Sequence, residues 1–372
     1  MNAEPQPGRS AWPQALLANT LAVSPLIWAA FMQRAPTAYA AGVQEDGALE
    51  WMTFWGFALA AALFLSRARS ESRAGGLPWF TLGLFLFCLL VAMEEISWGQ
   101  RVFGYRPPTY FLERNYQQEL NLHNLIDSSL RKITLKAIMI GYGVVLPIVG
   151  LFRRGGTLLE RLRIHPPPWV LAPAFLAATI AYEVYPWKYT GELVELMLAM
   201  AFLFSALLSL PESRFQLSRS LVTAPLMAAL IVFLLGSASG LVTLVAHRAH
   251  PGNLEAARSE VEALKLDLLA LAGDGDLPTK CGLHKRVYTW VIREETNALY
   301  EGRFAALIAQ GLPEERADFF IDPWNSPYWV RHRCSSSQER VTIYSFGSNR
   351  RRDSEPSELG GDDVGVTIER AR

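Results

Sequence analysis

Apolar runs long enough to cross a bilayer fill the first two thirds of the chain and constrain its fold more than any other feature. A membrane-spanning helix needs about 20 mostly apolar residues. Seven segments approach or exceed that length: 14–33, 48–66, 77–98, 133–152, 168–185, 191–210 and 221–246. Asn19, Thr20 and Pro25 interrupt the first, whereas the last is the most uniformly apolar. The sequence therefore predicts an all-α membrane helix bundle of about seven spans.

Composition supports a division into an apolar and a polar part. Only 19% of the 372 residues are charged, below the roughly 25% of an ordinary soluble domain, and polar residues concentrate after the last span. The formal net charge is zero, so nothing indicates a nucleic-acid partner. The N-terminus lacks the features of a cleavable signal peptide. We therefore expect the first apolar segment to stay as an anchor in the membrane lipid.

Arginine positions predict the orientation of the bundle, because cytoplasmic loops are enriched in Lys and Arg. Arginines follow the second, fourth and sixth spans: Arg67, Arg69, Arg73, Arg153, Arg154, Arg161, Arg163, Arg214 and Arg219. In a bacterial inner membrane these loops would be cytoplasmic, which makes the N-terminus cytoplasmic and the C-terminal domain periplasmic. The loop at 99–132 argues against this orientation, because it is also basic and would lie outside.

The loop after the third span contains the densest set of polar residues, within the words EEISWGQR and NLHN. Its candidate site residues are Glu94, Glu95, Gln100, Arg101, Glu119 and His123. Acids at the outer ends of other spans extend the set: Glu183, Glu192 and Glu195. Carboxylates at a membrane helix end are costly unless they are paired or hydrated. We therefore expect the acids of the three helices to converge near the outer surface.

Two interpretations of this polar set stay open. It forms a proton, cation or catalytic site, or it forms an ion-paired cap in which Arg101, Lys188 and His123 are the counterions. A three-histidine zinc site is not expected, because His123 is the only histidine in this region. The words EEISWGQR and NLHN resemble uncharacterised bacterial membrane proteins, and that resemblance implies no activity.

The polar tail predicts a small α+β domain. An amphipathic helix begins at Asn253, with apolar residues repeating at steps of three and four. A second helix is expected at 285–310. Candidate strands follow at 327–333, 339–346 and 364–369. A long helix packed on a small antiparallel sheet is an α+β arrangement.

Four words of the tail occur in the order found in a known family: GDLPT at 275–279, DPWNSPY at 322–328, YSFGSN at 344–349 and GGDDV at 360–364. With the preceding apolar helix, they make the chain resemble the major pseudopilin of type II secretion systems over about residues 221–369. The resemblance divides the chain into a membrane bundle at 1–220 and a membrane helix with a periplasmic domain at 221–372. The seventh span lacks the family's cleavage-site Gly and the Glu at the fifth position, so neither cleavage nor filament assembly is expected.

The resemblance also implies a calcium-binding loop between the last strands, because that loop binds calcium in the family. The matching oxygen donors are Ser348, Asn349, Asp353, Asp362 and Asp363. Asn349 stands where the family has Asp, and three arginines follow it at 350–352. The alternative is therefore a solvated loop whose arginines pair with its acids.

Cys281 and Cys334 are the two cysteines of the tail. The predicted topology places both in a compartment that permits disulfides, and the resembled fold lays the long helix across the sheet near both. A bridge would close a loop of about 50 residues and contribute roughly 4 kcal/mol in the chain-entropy model. Two separate thiols are the alternative.

Function is predicted less sharply than fold. The sequence contains no nucleophile–base pair, nucleotide-binding loop or cofactor motif, which favours a non-catalytic accessory or docking factor in secretion or envelope assembly. Its partners would be membrane lipid and secretion-system or other envelope proteins. The alternative is a membrane enzyme or transporter that uses the outer acid and histidine cluster.

Overall fold

The fold is taken from a computed structural model. It describes residues 11–43, 47–103, 105, 107–108, 110–111, 115, 119–210, 223–248, 252–272, 280–287, 321–324, 326–349, 352–354 and 358–371.

Helices fill the described part of the chain up to residue 272. In chain order they are α1 Ala11–Met32, α2 Pro36–Gly42, α3 Ala48–Arg73, α4 Trp79–Glu95, α5 Gln100–Phe103, α6 Ser128–Ile140, α7 Leu146–Leu151, α8 Arg153–Arg161, α9 Ala172–Val184, α10 Thr190–Leu208, α11 Thr223–Arg248 and α12 Asn253–Ala272. A wide turn at Gly141–Val145 continues α6 into α7. One tight turn at Ser97–Gly99 precedes α5, and another at Trp169–Leu171 precedes α9.

Five helical segments of the described chain are long and apolar enough to cross a membrane: Pro13–Met32, Ala48–Arg73, Ser128–Leu151, Thr190–Leu208 and Thr223–Ala246. They support a membrane protein, and the count of seven spans stays a prediction. The other two predicted spans are α4, with 17 residues, and the short apolar helix Trp169–Val184. At 1.5 Å per residue, 17 residues cover about 25 Å, at the lower limit of the roughly 17–25 residues of spanning helices.

Left-handed residues explain why these two helices end early. Ser97 and Trp98, just after α4, have φ of 46° and 56°. Tyr185, just after α9, has φ of 47°. An L-residue in this region cannot continue a right-handed helix.

The described chain divides into two compact units. The first comprises residues 1–98 and 126–242, and the second comprises residues 99–125 and 243–372. Most of α11 groups with the first unit, and the loop at 99–125 groups with the tail. The boundary at residue 220 stays a prediction.

Close helix packing accounts for the place of α11 in the first unit. A Cβ atom on Gly236 would lie 2.4 Å from Met52 Cγ, and one on Gly240 would lie 3.0 Å from Ala48 Cα. Trp55 Nε1 also donates to Ser239 Oγ at 3.0 Å. Two small residues four apart let helix backbones approach closely in membranes, so α11 lies directly against α3.

The second unit contains a four-stranded antiparallel sheet in the order β1-β2-β3-β4. Its strands are β1 His284–Arg286, β2 Trp329–Cys334, β3 Gln338–Ser345 and β4 Val364–Ala371. The three predicted strands thus occur within two residues of their expected starts. A helix was predicted at 285–310, but the start of this segment belongs to strand β1, because His284, Lys285 and Arg286 pair with β2. Most of the segment lies outside the described residues.

Helix α12 begins at Asn253, as the amphipathic pattern predicts, and packs against β3 and β4. Its Ala257 is fully buried against Trp324 and Val364. The tail is therefore a helix on a small antiparallel sheet, as expected for its α+β class.

Candidate functional sites

A cluster of five glutamates lies at one end of the first unit. The charges acting on Glu95, at the end of α4, are those of four other glutamates: Glu195, Glu50, Glu192 and Glu94. They come from the first turn of α3, the last turn of α4 and the first two turns of α10. We call these five residues the acid cluster. Like charges repel one another, which favours the protonated form of some of these carboxyl groups. Among the described residues, the carboxylate oxygens of the acid cluster do not form a group of three donors within 4.8 Å of one another.

The end of α4 fixes two members of the acid cluster. Glu94 is buried, and its Oε1 accepts a hydrogen bond from Trp98 Nε1 at 2.7 Å. The left-handed Ser97 and Trp98 end the helix there and fold the indole back onto Glu94. The polar motif EEISWGQR therefore ends α4 sharply and positions the Glu94 carboxylate.

The opposite end of the same helices has a different chemistry. Arg67 Nε donates to Glu71 Oε1 at 2.7 Å near the end of α3, and Thr81 Oγ1, at the start of α4, donates to Glu71 Oε2 at 2.7 Å. Glu50 and Glu71 are separated by 21 positions of one helix, about 31 Å at 1.5 Å per residue. The first unit is thus acidic at one end and contains arginines at the other.

Glu183 has different electrostatic neighbours from those of Glu95. It forms an ion pair with Lys136 of α6, and Lys132 also acts on it. The acid cluster therefore includes Glu50, which was not among the predicted site residues. Glu183, which was predicted, instead forms an ion pair with Lys136.

The remaining predicted residues of the 99–132 loop belong to the second unit. Gln100 is buried, and its Oε1 accepts from Leu120 N at 2.7 Å. Asn121 Nδ2 donates to Glu119 Oε2 at 3.0 Å. His123 is half-buried, and the Arg101 side chain lies outside the described residues. Gln100 and Glu119 therefore have local structural partners.

Two asparagines complete this buried network. Asn115 is fully buried, and its Nδ2 donates to Asn121 Oδ1 at 2.8 Å and to the Glu119 carbonyl at 2.6 Å. Buried polar groups are costly unless hydrogen-bonded, so these amides order the loop. The partners in this network are amides, backbone groups and the Glu119 carboxylate, and the ion-paired cap with Arg101, Lys188 and His123 stays a prediction.

The word DPWNSPY locks α12 onto the sheet. Asp322 Oδ1 accepts from Trp324 N at 3.0 Å and from Ser326 N at 2.7 Å, and Oδ2 accepts from Ser345 of β3. Tyr328 Oη donates to Glu260 Oε2 of α12 at 2.6 Å. Burial raises the pKa of Asp322 to about 7. The word is thus a structural motif that joins helix, loop and strand.

The loop with the predicted calcium ligands is tied by its own hydrogen bonds. Ser348 Oγ donates to Asp362 Oδ2 at 2.7 Å, Asn349 Nδ2 donates to Asp353 Oδ2 at 2.6 Å, and Asp353 N donates to Asp363 Oδ1 at 3.2 Å. All five predicted residues therefore belong to one hydrogen-bonded loop. Within the described ranges, the carboxylate oxygens of Asp353, Asp362 and Asp363 do not form a group of metal donors within 4.8 Å of one another. Calcium binding stays a prediction.

Cys281 and Cys334 form a disulfide, with Cα atoms 5.5 Å apart and 53 positions between them in sequence. Cys281 precedes β1 and Cys334 ends β2, so the bridge follows the β1–β2 pairing. Cys88 is a buried free cysteine in α4.

Sequence reasoning missed several residues that the fold brings to these sites. Glu50 was separated from the other acids by a whole span, and its only signal was a carboxylate in the first turn of an apolar helix. Glu260 and Ser345 carry no motif of their own, and they are identified only by their contacts with Tyr328 and Asp322.

The fold and these sites define a membrane-helix protein with an appended α+β domain. Compared with known protein families, with curated proteins and with solved structures, the chain gives no match.

Proposed function

We propose that the chain holds its α+β domain at the periplasmic face of a bacterial inner membrane, as a non-catalytic accessory or docking factor in secretion or envelope assembly. The main support for the proposal is the set of hydrogen bonds made by the DPWNSPY motif. It joins the helix after the last membrane span to the sheet through Tyr328 and Glu260, in the region where the chain resembles a major pseudopilin.

The packing of the second unit supports the display of this domain on one side of the membrane. Residues 99–125 and 243–372 form a single compact unit, so both segments must lie on the same side of any membrane. The arginine pattern predicts the periplasm for both. Because the loop and the domain belong to one unit, the basic residues of the loop bear on the orientation of both.

Deletion of the chain and crosslinking from its domain test this function. A photoreactive residue placed at Arg333 or Gln338, both exposed on the sheet, is expected to crosslink to a component of a secretion or envelope assembly system. The same residue at Leu86, exposed on the membrane bundle, is the matched control and should not give that product. The proposal fails if deletion leaves both the secreted and the envelope proteins of the host unchanged.

The acid cluster favours a second function, the binding or movement of a proton or cation. Its five carboxylates lie at the ends of three helices, α3, α4 and α10, and Glu192 occupies the first turn of α10. The full chain would be reconstituted in liposomes that enclose a pH-sensitive dye and carry an imposed potential. We expect proton flux that Glu95→Gln abolishes, because the amide can neither take up nor release a proton.

Glu183→Gln is the matched control, because Glu183 pairs with Lys136 instead; it should keep the flux. Equal flux in Glu95→Gln and in the unchanged chain would rule out this function. A flux lost in both variants would assign the effect to helix packing.

A further inference from the structure

The corner of the sheet that carries the disulfide contains other metal-binding side chains. The donor atoms of Cys281, His332 and Cys334 all lie within 4.8 Å of one another. His332 Nε2 is 3.3 Å from Cys334 Sγ and 3.4 Å from Glu339 Oε2. Two sulfurs and an imidazole nitrogen thus form the one such group among the described residues, and the Glu339 carboxylate adjoins it through His332.

Strand register places three of these side chains together. His332 and Cys334 are two positions apart on β2, so they project from the same face. Glu339 of β3 is paired directly with Cys334, and such cross-strand neighbours have Cβ atoms about 4.5–5.5 Å apart on the same face. The backbone of the hairpin therefore sets this grouping.

Backbone hydrogen bonds place Cys281 beside them. Gly282 N donates to the His332 carbonyl at 2.9 Å, and His332 N donates to the Leu283 carbonyl at 2.9 Å. Gly282 has φ of 87°, a conformation that suits glycine and turns the chain at this point. These contacts do not involve sulfur, so we expect Cys281 to stay next to His332 when the disulfide is reduced.

We propose that the reduced domain binds a zinc-class ion through Cys281, Cys334 and His332, with Glu339 as the fourth ligand. Tetrahedral zinc has Zn–S bonds of about 2.3 Å and Zn–N or Zn–O bonds of about 2.0–2.2 Å, which place neighbouring donors roughly 3.3–3.8 Å apart. The two distances at His332 Nε2 fall in this range. Thiolate and imidazole donors select zinc-class ions over calcium or magnesium.

Disulfide and metal are alternative states of this site. A dithiol reductant gives two electrons and two protons to the disulfide, which becomes two thiols while the reductant becomes a disulfide. The ion then displaces the two thiol protons. Oxidation by another disulfide passes two electrons to that oxidant, which takes up two protons from solution to become two thiols; the Cys281–Cys334 bond re-forms and the ion is released.

The Arg370 side chain competes with the metal ion for the Glu339 carboxylate. Arg370 of β4 is paired with Glu339 from the other side, so this carboxylate lies between a guanidinium and His332. We therefore assign the two thiolates and His332 as the main ligands and test Glu339 separately.

Cobalt titration of the full chain tests the site. The protein in detergent is reduced with a phosphine, freed of reductant without oxygen and titrated with Co²⁺, whose visible absorption reports tetrahedral thiolate ligation. We expect one Co²⁺ per reduced chain, displaced by Zn²⁺, and no such absorption from the oxidised chain. His332→Gln should weaken binding by about 100-fold or more, and Glu339→Gln by about tenfold, given that lesser changes near metal sites cost 10–100-fold.

Cys88→Ser removes the only other cysteine and should bind as the unchanged chain does. Cys281→Ser decides the outcome if the buried His332 variant does not fold, because Cys281 is exposed. Reduced chain without thiolate–cobalt absorption would overturn the proposal, as would undiminished binding in Cys281→Ser. Undiminished binding in Glu339→Gln would overturn the assignment of the fourth ligand.

Discussion

Asp322 is a residue whose protonation state affects the stability of the α+β domain. Its carboxyl is almost fully buried and bonded to two backbone N–H groups and to Ser345, and the charge of Glu260 also acts on it. Burial is the main cause that raises its pKa to about 7 from the ordinary value of 3.8. The folded domain therefore holds this proton at a pH where the unfolded chain has lost it.

This difference predicts a pH-dependent stability with a definite sign. The contribution of Asp322 is complete below about pH 4 and is lost as the pH rises through about 7, by up to about 4 kcal/mol. Asp322→Asn keeps the acceptor for Trp324 and Ser326 and should flatten this dependence. This pH dependence is measured by amide hydrogen exchange of β2 and β3 in the full chain, with each rate divided by the intrinsic exchange rate at the same pH.

The matched control is Glu262→Gln, on the exposed side of α12, which should leave the pH profile unchanged. An Asp322→Asn protein whose β2 and β3 lose protection between pH 4 and 7 as steeply as the unchanged chain would contradict the assignment.

At the scale of elements, two glycines of α11 determine how closely it approaches α3. A side chain at Gly236 would meet Met52, and one at Gly240 would meet the Ala48 backbone. The rest of the helix exposes large apolar side chains such as Phe233 and Val242, which suit contact with lipid. Its attachment therefore depends on a short stripe of small residues.

We expect Gly236→Leu to destabilise the first unit by about 1–3 kcal/mol, the usual cost of overpacking. Thermal unfolding of the detergent-solubilised chain measures the effect. Gly83→Leu is the matched control, since a Cβ on Gly83 of α4 has nothing within 4 Å. A lower melting temperature for Gly83→Leu than for Gly236→Leu would contradict this account of the packing.

Regular patterns made several elements predictable from sequence, while pairings between distant residues were not. The alternation along β2 to β4 and the apolar steps of α12 identified those elements. The strand β1 escaped because three consecutive polar residues, His284 to Arg286, carry no alternation. The Lys136–Glu183 pair required knowing that α6 and α9 are neighbours, which neither residue indicates locally.

For the whole molecule, the acidic and arginine-bearing ends of the first unit predict its orientation. Arg67 lies at the end away from Glu50, and arginine-rich ends face the cytoplasm. A reporter fused after residue 215 is therefore expected to read cytoplasmic, and one fused after residue 250 periplasmic. Alkaline phosphatase and green fluorescent protein fusions, which are active on opposite sides, measure this. A cytoplasmic reading after residue 250 would contradict both the orientation and the periplasmic display of the domain.

The composition of the second unit has a consequence for biogenesis. Residues 99–125 leave the ribosome about 120 residues before residue 243, the start of the rest of their unit. At 5–20 residues per second, that gap lasts about 6–24 s. During this interval residues 99–125, which include the buried Asn115 and Asn121, have been synthesised, but most of the chain with which they pack has not. A holding factor on the far side of the membrane, or a delay in translation, would therefore affect this loop before any other part of the chain.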